Sequence, residues 1–329
     1  MTALVEISGL RGYFDTFGGH LHALNGVNLT IEEGKITGLV GETGSGKSVT
    51  ASSLLRLLPE SFKYTDGCIR FGDIDMLNLS DAELRGIRGK RISMVFQDSR
   101  AALNPVFTVG EQIERVVLQH DHLTKSEARR RVIEILGRVQ IPDAERRARQ
   151  YCHEFSGGMA QRAMIAMALV HEPQLIVMDE PTTGLDVTTQ AEILALIHRL
   201  ADESGLTVLL ITHDLGVVAE TCDMVAVMYA GQVAEYGTCE DVFVRPTHPY
   251  TRELLKASLS IDAEASGDFY SIPGSVPDLR NLPQGCPFAA RCPERAARCE
   301  TQPWMVDLGN GHSAQCHFAT ELVLTGVGQ

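Results

Sequence analysis

The stretch Gly41-Glu42-Thr43-Gly44-Ser45-Gly46-Lys47-Ser48 constrains this chain more than any other. It lies between an apolar run, Ile36–Val40, and a helix-compatible stretch from Ser48 to Leu58. Glycines at 41, 44 and 46 allow a tight turn that aims several backbone N–H groups into one concavity, and the positive end of the following helix adds to it. Lys47 then reaches the β- and γ-phosphates of a nucleoside triphosphate. The Ser48 hydroxyl suits Mg²⁺, which takes oxygen ligands. Strand, loop and helix together are a P-loop in its structural setting, so the chain is expected to bind a nucleoside triphosphate.

At 329 residues and 44% hydrophobic content the chain is long enough for one large or two ordinary globular domains. Its net charge of -13 argues against a broad nucleic-acid-binding face, which needs clustered Lys and Arg. The start, Met1-Thr2-Ala3-Leu4-Val5-Glu6, has neither a basic nor an apolar leader region, and no run approaches the length of a membrane span. Eight cysteines without a secretion signal point to a reducing cytosol rather than a disulfide framework.

Residues 3–40 alternate apolar and polar positions, which predicts short antiparallel strands before the loop. Cys68–Phe71 and Arg91–Phe96 are further strands, separated by a polar helix around Ser80–Ile87. From Val109 to about Gln150 the pattern is helical and highly charged, an inserted helical subdomain spanning about residues 98–172. Strands at Leu175–Met178, Leu206–Ile211 and Met224–Met228 then alternate with helices at Thr188–Ser204 and Leu215–Cys222, and Val242–Leu259 is helical. That alternation implies an α/β fold with a doubly wound parallel sheet. Beyond Ser260, prolines at 273, 277, 283, 287 and 293 block long helices, so residues 260–329 are expected to form a small irregular domain appended to a nucleotide-binding domain of residues 1–259.

Leu175–Met178 followed by Asp179-Glu180 has the form of a buried strand delivering two carboxylates to a sheet edge. Asp179 would sit near the Mg²⁺, and Glu180 could polarise an attacking water. In Phe155-Ser156-Gly157-Gly158-Met159, Ser156 is a plausible N-cap, and the two glycines expose the amides of a second phosphate-seeking helix end. A single nucleotide has no obvious use for both ends, unless the second faces a nucleotide held by another subunit.

With these motifs in this order, residues 4–240 resemble the ATP-binding-cassette (ABC) ATPases. The P-loop is present, Gln97 fits the Q-loop, Phe155–Ala160 resembles the signature motif, and Leu175–Glu180 resembles the Walker B strand. Thr183–Asp186 resembles the D-loop, and His213 the switch histidine. The resemblance implies that Gly41–Val49, with Glu42, Thr43, Gly44, Ser45 and Gly46 between them, line the nucleotide. Lys47 serves the phosphates, and Ser48, Gln97 and Asp179 serve Mg²⁺ or its waters. Glu180 is implied as general base and His213 as a γ-phosphate contact. Ser156, Gly157, Gly158 and Asp186 face a nucleotide held by a partner, because members pair head to tail. An aromatic residue stacks on adenine in this family; Phe14 has the best spacing, with Phe17 and Tyr13 as rivals. Met159 departs from the usual glutamine, and a thioether cannot reproduce amide hydrogen bonds.

The signature, D-loop and Arg245-Pro246-Thr247-His248-Pro249-Tyr250-Thr251 together resemble ATP-binding subunits of oligopeptide/dipeptide importers. Ile272–Pro277 and Cys286-Pro287-Phe288-Ala289-Ala290-Arg291-Cys292-Pro293 resemble that group's C-terminal extension. This implies a peripheral ATPase on the cytoplasmic face of a membrane, paired with a second homologous ATPase, two membrane permease subunits and, indirectly, an extracytoplasmic solute-binding protein, with no nucleic acid. Cys286, Cys292, Cys299 and Cys316 are four thiols in a segment too small to build much core, so a soft metal centre would supply stability. Four thiolates suit a 4Fe–4S cluster or a tetrahedral Zn²⁺, and unligated cysteines are the remaining alternative; the resemblance favours iron–sulfur, and His312 and His317 could substitute if zinc is bound. Cys68, Cys152, Cys222 and Cys239 read as small buried hydrophobes. The alternatives are a soluble cassette acting on nucleic acid or ribosomes and, more remotely, a small-molecule kinase that would leave Phe155–Met159 without a role.

Overall fold

The computed structural model describes residues 2–262 and 270–322. They form two compact units. Among the described residues, the first comprises 2–32, 36–77, 212–262 and 270–322, and the second 33–35 and 78–211.

In the first unit, the long strands Ala3–Thr16 and Gly19–Glu32 pair antiparallel, and Phe62–Phe71 joins the outer side of the first. Alternating burial along Ala3–Thr16 is the expected mark of a sheet with one face on a core. The second sheet of this unit is built on Ile36–Val40, all five residues of which are buried. Met224–Tyr229 runs parallel to it, and Gln232–Thr238 returns antiparallel. The tail does not stand apart as a separate domain. Its strands Val306–Gly309 and His312–Ala314 form a hairpin that extends this same sheet, with Ala314 opposite Glu235. Phe288 of the tail is buried with Tyr229 and Tyr250, ring centroids 5.3 Å away in each case.

In the second unit, Ile92–Val95, Leu175–Asp179 and Thr207–Ile211 are parallel neighbours. The helices Val109–His120 and Lys125–Arg138 start where the sequence dictates: Thr108 and Thr124 each cap the chain while a glutamate three residues on, Glu111 or Glu127, bonds back. The charged helical stretch is not a compact unit by itself. The helix Gly157–Leu169 touches the strand Ile92–Val95 as well as both of those helices, tying the insertion to the sheet of this unit.

Candidate nucleotide site

The P-loop belongs to the first unit. Its helix, Lys47–Leu54, begins after Gly46, whose φ of 105° is the left-handed conformation that glycine adopts without penalty. Gly41 has φ 145°, and a Cβ there would lie 2.2 Å from the carbonyl oxygen of Met228, so no other residue fits. Lys47 is buried, and its Nζ donates to the carbonyl oxygens of Gly41 (2.7 Å) and Glu42 (3.0 Å), the pairing a buried ammonium requires. The loop is braced from behind: the Gly231 amide donates to the Ser45 carbonyl (2.9 Å), and the Asn25 amide to that of Gly231 (2.8 Å). Ser48, Thr43 and Gly44 are exposed, and Val49 is half-buried.

Glu42 has partners that local spacing could not reveal. Its carboxylate accepts two bonds from Arg291, at 2.7 and 3.0 Å, and its amide donates to the Tyr250 hydroxyl at 3.0 Å. Of the aromatic candidates for adenine, Phe14 is half-buried and edge-on to Phe62 at 4.8 Å. Tyr13 lies against His20 at 4.2 Å, and Phe17 is fully exposed. His213 is exposed, next to Asp214, which caps the helix Leu215–Thr221 by accepting from the amides of Gly216 and Val217.

The carboxylates belong to the second unit. Leu175–Met178 are buried and Asp179 half-buried at the strand's end. Glu180 then takes φ 47°, uncommon for a residue with a side chain, and its amide donates to the Ile211 carbonyl at 2.9 Å. Its Oε2 accepts from Gln97 Nε2 at 2.8 Å and from Thr183 Oγ1 at 2.9 Å. Gln97 is expected at magnesium, and Thr183 is expected only as part of the D-loop motif. The structure gives both a hold on the proposed base, and Gln97 keeps a carbonyl oxygen for a cation.

The signature helix, Gly157–Leu169, starts as expected with Ser156 Oγ accepting from the Met159 amide at 3.3 Å. A Cβ on Gly158 would lie 2.5 Å from Thr189 Cγ2, which accounts for glycine there. Asp186 caps the helix Val187–Ser204, taking the Thr189 amide at 3.0 Å and the Thr189 hydroxyl at 2.7 Å. Those bonds hold its carboxyl below the usual range. Gln97, Ser156, Gly158, Gln161, Thr183 and Asp186 line one open cavity of about 680 Å³.

In the tail, Cys286, Cys292, Cys299 and Cys316 share a neighbourhood. The Cys286 amide donates to the Cys299 carbonyl at 2.9 Å, and burial, with the other thiols nearby, pushes Cys286 up to about 11 and Cys292 up to about 12. Among the described residues, no group of three or more His, Cys, Asp or Glu is arranged to hold a metal ion. Four sulfur donors suit a soft metal, while the ligating geometry is not formed among the described residues. Of the two histidines that could substitute, His312 Nε2 is 2.9 Å from Glu235 Oε1, and His317 Nε2 is 2.9 Å from the Thr301 carbonyl. Of the other four cysteines, Cys152 is buried and Cys68, Cys222 and Cys239 are partly so.

A family model described as "ABC transporter" matches residues 24–183, and one described as "Oligopeptide/dipeptide transporter, C-terminal region" matches residues 234–299. The chain is 47% identical, over 99% of both chains, to the Dipeptide transport ATP-binding protein DppD of Bacillus subtilis. It is 44% identical to the Oligopeptide transport ATP-binding protein OppD of Salmonella typhimurium, covering 98% of this chain and 95% of that one. Among solved structures, the ATP-binding cassette MJ0796, a dimer in a post-hydrolysis state bound to ADP and Pi, superposes with a TM-score of 0.64 at 30% identity. That match covers 71% of this chain and 98% of the other.

Proposed function

Because the chain belongs to the ATP-binding subunits of oligopeptide and dipeptide ABC transporters, we propose that its ATP hydrolysis drives uptake of a peptide or similar small solute through separate membrane subunits. No helix among the described residues is long and apolar enough to cross a membrane; membership of this family is what supports peripheral attachment to permease partners at the cytoplasmic face. The observation that carries the reading is the presence, in one chain, of a P-loop cradle and a second exposed helix end opening on a cavity with Gln97, Thr183 and Asp186. Two such ends match two half-sites. The partner is proposed to be a second, homologous ATPase, each ATP lying between one chain's P-loop and the other's Ser156–Gly158.

In this reading Lys47 and the loop amides hold the phosphates, and Phe14 stacks on adenine. Ser48, Gln97 and Asp179 are hard oxygen donors of the kind Mg²⁺ takes, and the ion would neutralise phosphate charge there. Glu180, oriented by Gln97 and Thr183, accepts the proton of the attacking water, and His213 contacts the γ-phosphate. Positioning and electrostatic stabilisation do most of the catalytic work in phosphoryl transfer. Glu180→Gln should keep ATP binding and abolish turnover, since the amide cannot take the proton. Full turnover in that variant would contradict the assignment.

We propose in addition that the four tail cysteines hold a 4Fe–4S cluster, with zinc as the alternative. Their shared neighbourhood and soft donor set support this, and a bound cation would supply the reason for the thiols to ionise and converge. Visible absorbance in anaerobically purified protein supports iron–sulfur, whereas stoichiometric zinc in a colourless sample refutes it.

A further inference from the structure

Two separate stretches that the ATPase chemistry does not use converge on one P-loop residue, and a third braces one of them. Tyr250, from Arg245–Thr251, accepts the Glu42 amide N–H at 3.0 Å. Arg291, between Cys286 and Cys292, puts Nη1 2.7 Å from Glu42 Oε2 and Nη2 3.0 Å from Oε1. The carbonyl oxygens of Ile272 and Pro273 then take Arg291 Nη2 (3.4 Å) and Nε (3.0 Å). Gly274, at φ 81°, lets the guanidinium stem pass, since a Cβ there would lie 3.2 Å from Arg291 Cγ. Tyr229 completes the cage, its hydroxyl 3.3 Å from Nη1.

Glu42 is thereby held at every polar group it has. Its amide is taken by Tyr250, its carboxylate by Arg291, and its carbonyl oxygen receives Lys47 Nζ (3.0 Å) and the Ser45 amide (3.1 Å). The Arg291 side chain is only 4% exposed and that of Glu42 26%, so the pair is screened by protein rather than bulk water. A two-pronged guanidinium fixes direction as well as charge. It also neutralises an acid that otherwise stands in a loop built to receive a triphosphate.

We propose that Arg291 is a positioning residue of the nucleotide site: through Glu42 it sets the P-loop and cancels its one negative charge, making the C-terminal extension part of the ATP-binding apparatus. The proposal rests on the nucleotide reading above and names a residue that the reading does not require.

The test uses the full-length chain and MgATP, with equilibrium binding and steady-state hydrolysis measured side by side. Arg291→Met should weaken ATP binding at least about tenfold, the equivalent of about 1.4 kcal/mol. The KM should rise while kcat at saturating ATP is largely kept, the pattern of lost ground-state binding. Arg291→Lys, which keeps charge but not the fork, should fall between. If the ion pair carries the effect, Arg291→Met combined with Glu42→Gln is no weaker than Arg291→Met alone. The surface variant Arg298→Ala, in the same extension, should bind as the parent does. Should Arg291→Met not fold, Arg291→Lys measured with and without Glu42→Gln decides: the loss caused by lysine should shrink once Glu42 is glutamine, and a loss of the same size in both backgrounds overturns the proposal. A folded Arg291→Met with parental affinity, or strictly additive losses in the double variant, overturns the proposal. A parent chain that does not bind MgATP instead overturns the nucleotide reading.

Discussion

Gly158→Ala is a one-carbon change whose cost follows from a single distance. The added Cβ would sit 2.5 Å from Thr189 Cγ2, far inside van der Waals contact. Thr189 has little freedom to yield, since its amide and its hydroxyl both bond to Asp186, at 3.0 and 2.7 Å. Overpacking of this kind costs about 1–3 kcal/mol. Replacing glycine in a helix returns at most about 1 kcal/mol, and less in a first turn. The net loss of about 1–2 kcal/mol corresponds to a melting temperature lower by roughly 2–8 °C. Thr189→Ser deletes the offending methyl and keeps both bonds to Asp186, so it should be nearly silent alone and recover at least half of the loss in the double variant. Thermal melts of the four proteins followed by circular dichroism decide the matter. A Gly158→Ala protein that melts with the parent, or one that Thr189→Ser does not rescue, would show that the contact is not what excludes a side chain.

Thr183→Val removes a hydroxyl that donates to Glu180 Oε2 at 2.9 Å and keeps the side chain's shape; steady-state kinetics should show turnover down about tenfold with ATP affinity intact. His248 is buried, its Nδ1 accepts the Tyr250 amide at 3.0 Å, and burial lowers its pKa from 6.5 to about 4. The unfolded chain therefore binds the extra proton first. This contribution, roughly 3 kcal/mol, is complete above about pH 6.5 and lost as pH falls toward 4. Denaturant midpoints across that window should decline in the parent and much less in His248→Gln. Thr124→Ala opens the capping box of Lys125–Arg138 and should cost about 1 kcal/mol in the same denaturation assay.

What could be read from the sequence was local. Gly41 and Gly46 were identifiable because a phosphate-binding turn needs φ values that side chains resist, and that requirement is written into a few consecutive residues. The same holds for Thr108-x-x-Glu111 and Thr124-x-x-Glu127, where cap and helix start are three residues apart. The strand Gln232–Thr238 escaped notice because its hairpin turns on Ala230 and Gly231, at φ 49° and 77°. Alanine gives no hint of a left-handed turn, where asparagine or aspartate would. Glu42 could be placed in the loop, but its partner lies 249 residues on, a separation that no periodicity encodes. The four cysteines marked a common neighbourhood, yet composition could not say that the strands after Cys299 would join the sheet of the nucleotide-binding unit.

The joining of this hairpin to the sheet has a physical origin that also explains how so irregular a tail docks. A segment rich in proline and glycine buries little apolar surface, so hydrophobic burial alone is a weak reason for it to dock. Two acids of the first unit supply a stronger one. Glu235 is fully buried, and its carboxylate is satisfied by the Thr247 amide (2.7 Å), the Thr247 hydroxyl (2.9 Å), the His248 amide (3.1 Å) and, from the tail, His312 Nε2 (2.9 Å). Glu42 draws both carboxylate bonds from the tail's Arg291. A buried carboxylate short of a donor is costly in proportion to what it lacks. The tail is therefore held at two points where its absence would leave an acid wanting, one beneath the sheet edge it extends and one in the phosphate loop itself. The second of these points, Arg291 on Glu42, ties ordering of the extension to the P-loop through the same two hydrogen bonds.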